Sequence, residues 1–89
     1  MNPQFANRGI NKTASADGIK VGQGILHGMY VNSTSSGTIK IYDAATQTGT
    51  VLNNTITPAV GYHDLGDVAF STGLSVTIGG TLDVTLYYQ

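Results

Sequence analysis

Residues 74–88 read LSVTIGGTLDVTLYY, and this stretch decides the fold class. Large apolar residues occupy every second position on both sides of the Gly79-Gly80 pair. This alternation is typical of strands that bury one face, and a Gly-Gly pair between two such runs predicts a tight turn. The inward set predicted here is Leu74, Val76, Ile78, Leu82, Val84, Leu86 and Tyr88.

The same alternation extends upstream from this stretch. In residues 25–31 it predicts Ile25, His27, Met29 and Val31 on one face of a strand, and in residues 38–43 it predicts Ile39 and Ile41 inward with Lys40 and Tyr42 outward. Residues 32–37 read NSTSSG, a loop composition, so the two strands are expected to form a hairpin. Further strands are predicted at residues 50–57 and 61–71.

No segment carries the apolar spacing of a helix, and glutamate is absent. About six short strands with frequent turns predict an all-β fold, either a small antiparallel β-sandwich or a jelly-roll-like barrel. We place this domain at residues 18–89.

Residues 1–17 lack strand alternation and are predicted to be an extended N-terminal arm. Its large apolar anchors are Phe5 and Ile10, while Arg8 and Lys12 are suited to pair with acidic groups. Because the arm has little to bury within its own domain, we expect it to dock on a neighbouring copy or on a larger shell.

The chain is short and carries few charges. Its 89 residues contain no cysteine, and charged residues make up 10%, against ~25% in an ordinary soluble domain. A domain of this size has a thin stability margin that is commonly supplemented by oligomerisation. Low charge therefore favours a surface that faces other protein, and a homotrimer is expected; a polar monomer is the alternative.

Composition also argues against nucleic-acid binding, a membrane span and secretion. The four cations are scattered, which argues against nucleic-acid binding, and no apolar run approaches the ~20 residues that span a membrane. The first residues lack the pattern of a secretory signal, so we expect synthesis in the cytoplasm.

A search for catalytic chemistry yields little. His27 lies among apolar residues, where a hydrogen-bonded core or interface histidine is expected. His63, Asp64 and Asp67 form the densest polar cluster, but neighbouring strand residues point to opposite faces, so a solvated turn is favoured over a metal site. We expect no enzyme activity, no catalytic residue, no cofactor and no metal.

Aromatic residues point to binding instead. Met29, Tyr30 and Tyr42 are of types enriched at protein interfaces, and we predict them as contact residues together with the arm residues Phe5, Arg8, Ile10 and Lys12. Tyr30, Tyr42 and Tyr62 would alternatively stack on a sugar ring. Cross-strand packing within one sheet is a third interpretation.

Two stretches carry a resemblance to a known class of proteins. They are GILHGMYVNSTSSGTIKIYDA (residues 24–44) and VAFSTGLSVTIGGTLDVTLYYQ (residues 68–89). Together they resemble small jelly-roll-like structural proteins of tailed bacteriophage virions, a match that covers most of residues 20–88. The shared pattern consists of strand residues and includes no catalytic signature.

The resemblance implies a non-enzymatic virion protein. The expected function is a capsid decoration or cement protein that binds the outside of an assembled head and stabilises it, with the major capsid protein or another virion protein as partner. A fibre, neck or baseplate component is the alternative within the class. A carbohydrate-binding module is the alternative outside it.

Overall fold

The structure is a computed structural model, and it describes residues 8–89. Six antiparallel strands form one hydrogen-bonded sheet in this part of the chain, and no helix interrupts them. The all-β prediction is therefore confirmed. The strands are β1 (Arg8–Lys12), β2 (Ala16–Val21), β3 (Gly24–Asp43), β4 (Thr50–Ile56), β5 (Gly61–Phe70) and β6 (Gly73–Tyr88).

The two longest strands, β3 and β6, form the spine of the molecule. They run side by side from the Leu26–Tyr88 pair to the Tyr42–Ser75 pair. At one end β1 pairs with β6 and β5 pairs with β3; at the other end β2 pairs with β6 and β4 pairs with β3. The sheet thus consists of two four-stranded halves that share their two central strands.

The two halves enclose a single apolar core. Leu26 and Met29 from the first half belong to the same buried cluster as Ile41 and Val76 from the second. The shortest dimension of the molecule is 19 Å, which suits two sheet layers spaced ~10 Å apart. The architecture is that of a small antiparallel β-sandwich.

The predicted core residues lie largely where the alternation placed them. Of the six predicted inward residues Ile39, Ile41, Val76, Ile78, Val84 and Leu86, five are completely buried, and Ile78 is half-buried against the cluster. Burial of such side chains is the main favourable term in folding. The five are Ile39, Ile41, Val76, Val84 and Leu86.

Two predicted turns are wrong, because both lie inside long strands. Residues 33–38 of β3 pair with residues 79–83 of β6, so neither a loop at 32–37 nor a tight turn at Gly79-Gly80 exists. Here the spine is irregular: Ser36 and Gly80 have positive φ, and a Cβ at Gly37 would overlap the Thr81 carbonyl oxygen. Polar and glycine residues mark a distortion of paired strands at this point.

The predicted faces of β3 are wrong at its start. Leu26, Met29 and Val31 are buried, whereas Ile25 and His27 are only partly so. The register shifts between Leu26 and Gly28 on both neighbouring strands. A β-bulge at His27 therefore inverts the phase, which places His27 at the margin of the core.

Tyr42 was expected to face outward, but only 8% of it is exposed. The Lys40 ammonium lies 5.4 Å from the ring centroid, and the Thr77 hydroxyl contacts both Tyr42 Oη (3.4 Å) and Gln47 Oε1 (3.0 Å). The connection after β3 thus brings Gln47 to the ring, so Tyr42 is a packed residue.

The predicted arm joins the domain over the part that the structure describes. Residues 8–12 pair with residues 84–88 as β1, and Ile10 packs against the core. β2 begins at Ala16, so the boundary predicted at 17/18 falls inside a strand. Phe5, the predicted anchor, lies outside the described residues.

Candidate functional site

His27 forms the centre of a polar cluster at one end of the spine. Its Nδ1 lies 2.6 Å from Asp67 Oδ1, and its Nε2 lies 2.7 Å from Gln89 Oε1. Gln89 is also held by its backbone, since Ile25 N–H donates to its carbonyl oxygen at 2.6 Å and its own N–H donates to the Ile25 carbonyl oxygen at 2.8 Å. The ring therefore joins β3 to β5 and to the end of β6.

Backbone irregularities on two strands bring these groups together. The bulge at His27 turns its ring out of the core, and opposite it three residues of β5 (65–67) lie between the paired positions Asp64 and Val68. Gly66 and Asp67 both have positive φ (76° and 53°). Asp67 is a non-glycine residue in the left-handed region, an unusual conformation that the surrounding structure must support.

Both neighbours of the His27 ring are hydrogen-bond acceptors, so the ring donates from both nitrogens when it is protonated. The bond to Asp67 raises the pKa of His27 above its ordinary value; partial burial opposes this, and the bond to Gln89 adds to it. A His–Asp pair is also part of nucleophilic triads, but there Nε2 contacts a hydroxyl or thiol. Here Nε2 contacts a carboxamide, so the arrangement holds strands together.

A shallow cleft of ≈ 380 Å³ lies beside this cluster. Phe70 is buried, whereas Gln23 is exposed and Gln89 half-exposed. None of the residues that line the cleft has a hydroxyl, thiol or carboxylate side chain. The cleft therefore offers a ligand contact surface but no reactive side chain. It is lined by Gln23, Gly24, Ile25, Ala69, Phe70 and Gln89.

The outer face of the first half carries three tyrosines, which we call the tyrosine face. Tyr30 pairs with Tyr62 across β3 and β5, and the Tyr62 and Tyr87 rings lie 6.3 Å apart at an angle of 44°. Tyr62 is 54% exposed and Tyr30 42%. A Cβ at Gly28 would overlap the Tyr62 hydroxyl, so the ring reaches across β3 over this glycine.

A cluster of polar side chains continues the tyrosine face along β6. Asn11 Nδ2 and Asn32 Nδ2 both donate to Asp83 Oδ1, at 2.6 and 3.2 Å. Asn32 also donates to Thr85 Oγ1 at 3.2 Å, and Thr85 pairs directly with Tyr30. Aromatic rings and fixed polar groups therefore share one surface.

A second surface is formed by a segment that has no charged residues. Residues 44–60 contain no Lys, Arg, Asp or Glu, and we call them the uncharged segment. Three of its large aliphatic side chains are exposed, Val51 and Ile56 on β4 and Val60 just after it, the last at 61%.

The cluster His63, Asp64 and Asp67 does not converge. His63 Nε2 bonds to the Ala59 carbonyl oxygen at 2.7 Å, and Asp64 accepts the Gly66 N–H at 2.8 Å. Asp67 turns to His27, so the three side chains have three different partners. Across residues 8–89, no group of three or more His, Cys, Asp or Glu is placed to hold a metal ion.

The structure separates the residues predicted to contact a partner. Tyr30 and Arg8 are exposed, whereas Ile10 and Lys12 are half-buried. Met29 is fully buried in the core, and Tyr42 is also buried, so neither is a surface residue of this structure.

Sequence reasoning missed several members of these sites. Sequence patterns assign no binding role to Tyr87, Asp83 or Gln89. The alternation of Asp83, Thr85 and Tyr87 on β6 could have placed them beside Tyr30, since outward residues of neighbouring strands share a face. The pairing of His27 with Asp67 had no sequence signal, because it depends on two bulges.

The chain matches no protein-family model, no curated protein and no solved structure. Within residues 8–89 there is no helix of the length and apolar character needed to cross a membrane.

Proposed function

We propose that this chain is a non-enzymatic structural protein that docks on other proteins of an assembly, and specifically a decoration or cement protein on the outside of a tailed-phage head. The observation that carries the proposal is the uncharged segment, which leaves Val51, Ile56 and Val60 exposed. Surface without charge and with accessible aliphatic groups favours contact with protein.

The four edge strands of the sheet differ in a way that supports this. β1 carries Arg8 and Lys12, β2 carries Asp17 and Lys20, and β5 carries Asp64 and Asp67. Charges on edge strands discourage contact with other chains. β4, with the sequence TVLNNTI, carries none, so it is the edge least protected against association.

The virion assignment depends on the resemblance of residues 24–44 and 68–89 to phage structural proteins. The surroundings of His27 support a non-enzymatic role, because its ring contacts a carboxylate and a carboxamide and no nucleophile. The homotrimer, the major capsid protein as partner and the location in the virion remain predictions. A fibre, neck or baseplate position is the alternative, since the uncharged segment would also dock on proteins in those parts of the virion.

The test begins with tailed-phage virions purified from the strain that encodes the chain, analysed by quantitative mass spectrometry. We expect the chain in a fixed ratio to the major capsid protein. Recombinant chain should then rebind heads that lack it, and the Val51→Ser/Ile56→Ser/Val60→Ser variant should rebind at least tenfold more weakly. Tyr62→Ser, on the tyrosine face, is the matched control.

Absence of the chain from such virions would overturn the virion assignment. A fixed ratio to a tail protein would support the alternative position. Equal rebinding by the triple variant and the unaltered chain would show that the uncharged segment is not the docking surface.

A further inference from the structure

We infer that the tyrosine face is a binding site for a neutral saccharide. The site comprises the rings of Tyr30, Tyr62 and Tyr87 and the polar cluster of Asn11, Asn32 and Asp83. This function is separate from docking through the uncharged segment, and it uses the opposite kind of surface, one rich in aromatic and polar groups.

The aromatic part of the site is shaped by Gly28. A side chain at this position would overlap the Tyr62 ring, so the glycine allows Tyr62 to lie across β3. Tyr62 is more than half exposed and Tyr30 is 42% exposed, so both rings are accessible to a ligand. The apolar C–H face of a pyranose stacks on such rings, which combine an apolar body with a polar tip.

The polar part of the site is fixed before any ligand arrives. Both carboxamide bonds to Asp83 use the same oxygen, Oδ1, so in the described part of the chain Oδ2 is left to accept a ligand hydroxyl. Asn11 and Asn32 are both exposed. Polar groups that are already oriented fix a ligand at lower entropic cost.

The spacing of the two parts suits an extended ligand. Asp83, Thr85 and Tyr87 follow one another at every second position of β6, which separates consecutive members by ~7 Å. A ring stacked on Tyr87 or Tyr62 would therefore have its neighbouring sugar beside Thr85 and Asp83. This arrangement favours an oligosaccharide over a single sugar.

The charge of the face restricts the ligand class. Among the outward positions of the four strands, Asp64 and Asp83 are charged, and the register places no Lys or Arg with them. Carboxylates repel phosphorylated, sulfated and sialylated ligands. The face therefore disfavours anionic saccharides, and we assign it to neutral ones.

The experiment uses the full chain on a glycan array that contains neutral and sialylated glycans, followed by amide NMR titration with the neutral oligosaccharide bound best. We expect saturable shifts at Tyr30, Thr85 and Tyr87. Tyr62→Ala should lower affinity at least tenfold, whereas Tyr62→Phe, which keeps the ring, should bind within about threefold of the unaltered chain. Melting curves of both variants check folding, and Val51→Ser is the matched control.

Three results would overturn the inference: no binding to any neutral glycan at millimolar concentration, preference for sialylated glycans, or unchanged affinity in folded Tyr62→Ala. Loss of head binding in Tyr62→Ser, in the experiment above, would also overturn it by assigning the face to protein. Absence of the chain from virions leaves the saccharide result unaffected, since the glycan experiment uses the isolated chain and a different surface.

Discussion

At the scale of single residues, two buried or partly buried polar groups lie at the other end of the β3–β6 spine from His27. Ser75 is completely buried; its hydroxyl donates to the Ala44 carbonyl oxygen at 2.7 Å and accepts the Gly18 N–H at 2.9 Å. Asp43 accepts backbone N–H groups of Ser71, Thr72 and Gly73 at the turn between β5 and β6. Buried polar groups of this kind are stabilising only while their partners remain.

Asp43 makes stability depend on acid pH. The bond from the Thr72 N–H is the largest influence that lowers the pKa of Asp43; partial burial opposes it, and the bonds from Ser71 and Gly73 add to it. The pKa of Asp43 is lower in the folded chain than in the unfolded chain. The stabilisation from the Asp43 bonds is therefore complete above the ordinary pKa of a carboxyl group, and it is lost as pH falls through the folded pKa. We expect the free energy of unfolding to decrease below pH ~4.

Urea unfolding at several pH values measures this effect. Asp43→Asn should be less stable at pH 7 by about 1–3 kcal/mol, because a carboxylate that accepts several N–H bonds is replaced by an amide. It should also show a shallower decline towards low pH than the unaltered chain. Asp64→Asn, at an exposed position of β5, is the control. An unchanged acid slope in Asp43→Asn would contradict this assignment.

At the scale of elements, His27 links β3 to β5 and to Gln89 after β6 by side-chain hydrogen bonds, which add to the backbone pairing and the core packing at this place. Because the pKa of His27 is raised, its effect on stability has the opposite pH dependence to that of Asp43. The stabilisation from the His27 bonds is complete below the unfolded pKa of ~6.5 and is lost as pH rises through the folded pKa. The bulge in β5 and the end of β6 should therefore open more readily at alkaline pH.

NMR titration of the His27 ring should give a midpoint above 6.5, and hydrogen exchange at Asp67 and Gln89, corrected for its intrinsic pH dependence, should be faster at pH 8 than at pH 6. Asp67→Asn should lower the midpoint and reduce the difference in exchange. Amides in the middle of β6, residues 77–81, serve as the internal control, since they pair with residues 35–40 of β3 and not with the strand ends that the ring joins. A midpoint that Asp67→Asn leaves in place would contradict the proposed interaction.

At the scale of the whole molecule, one core serves both halves of the sandwich. Leu86 is completely buried in this shared cluster, so Leu86→Ala should cost about 2–5 kcal/mol and weaken both halves together. Urea unfolding followed by amide NMR signals from β2 and from β5 should show coincident transitions at lower denaturant. Val51→Ala, at an exposed position, should change stability by less than about 0.5 kcal/mol. Separate transitions for the two halves would contradict a single core.

Local alternation was enough to predict the fold class and most of the core. Alternation in residues 81–88 predicted the inward set Leu82, Val84, Leu86 and Tyr88, and all four are buried. This worked because the two-residue period of a strand is a local property, which one face of buried apolar groups imposes on the sequence. The absence of Lys, Arg, Asp and Glu from residues 44–60 can also be read from the sequence, whereas the edge position of β4 follows from strand pairing.

Only the tertiary structure decided where strands continue and which side chains meet. The polar run at 32–37 is paired because β6 lies beside it, and the bulge at His27 inverts the faces of β3. Likewise Tyr62 comes to Gly28 and Asp67 to His27 only after β5 pairs with β3. Register shifts arise from pairing between distant segments, and a shift of one residue exchanges the two faces of a strand. Such a shift cannot be predicted from local sequence patterns. The His27 cluster and the tyrosine face could therefore be located only from the strand pairing.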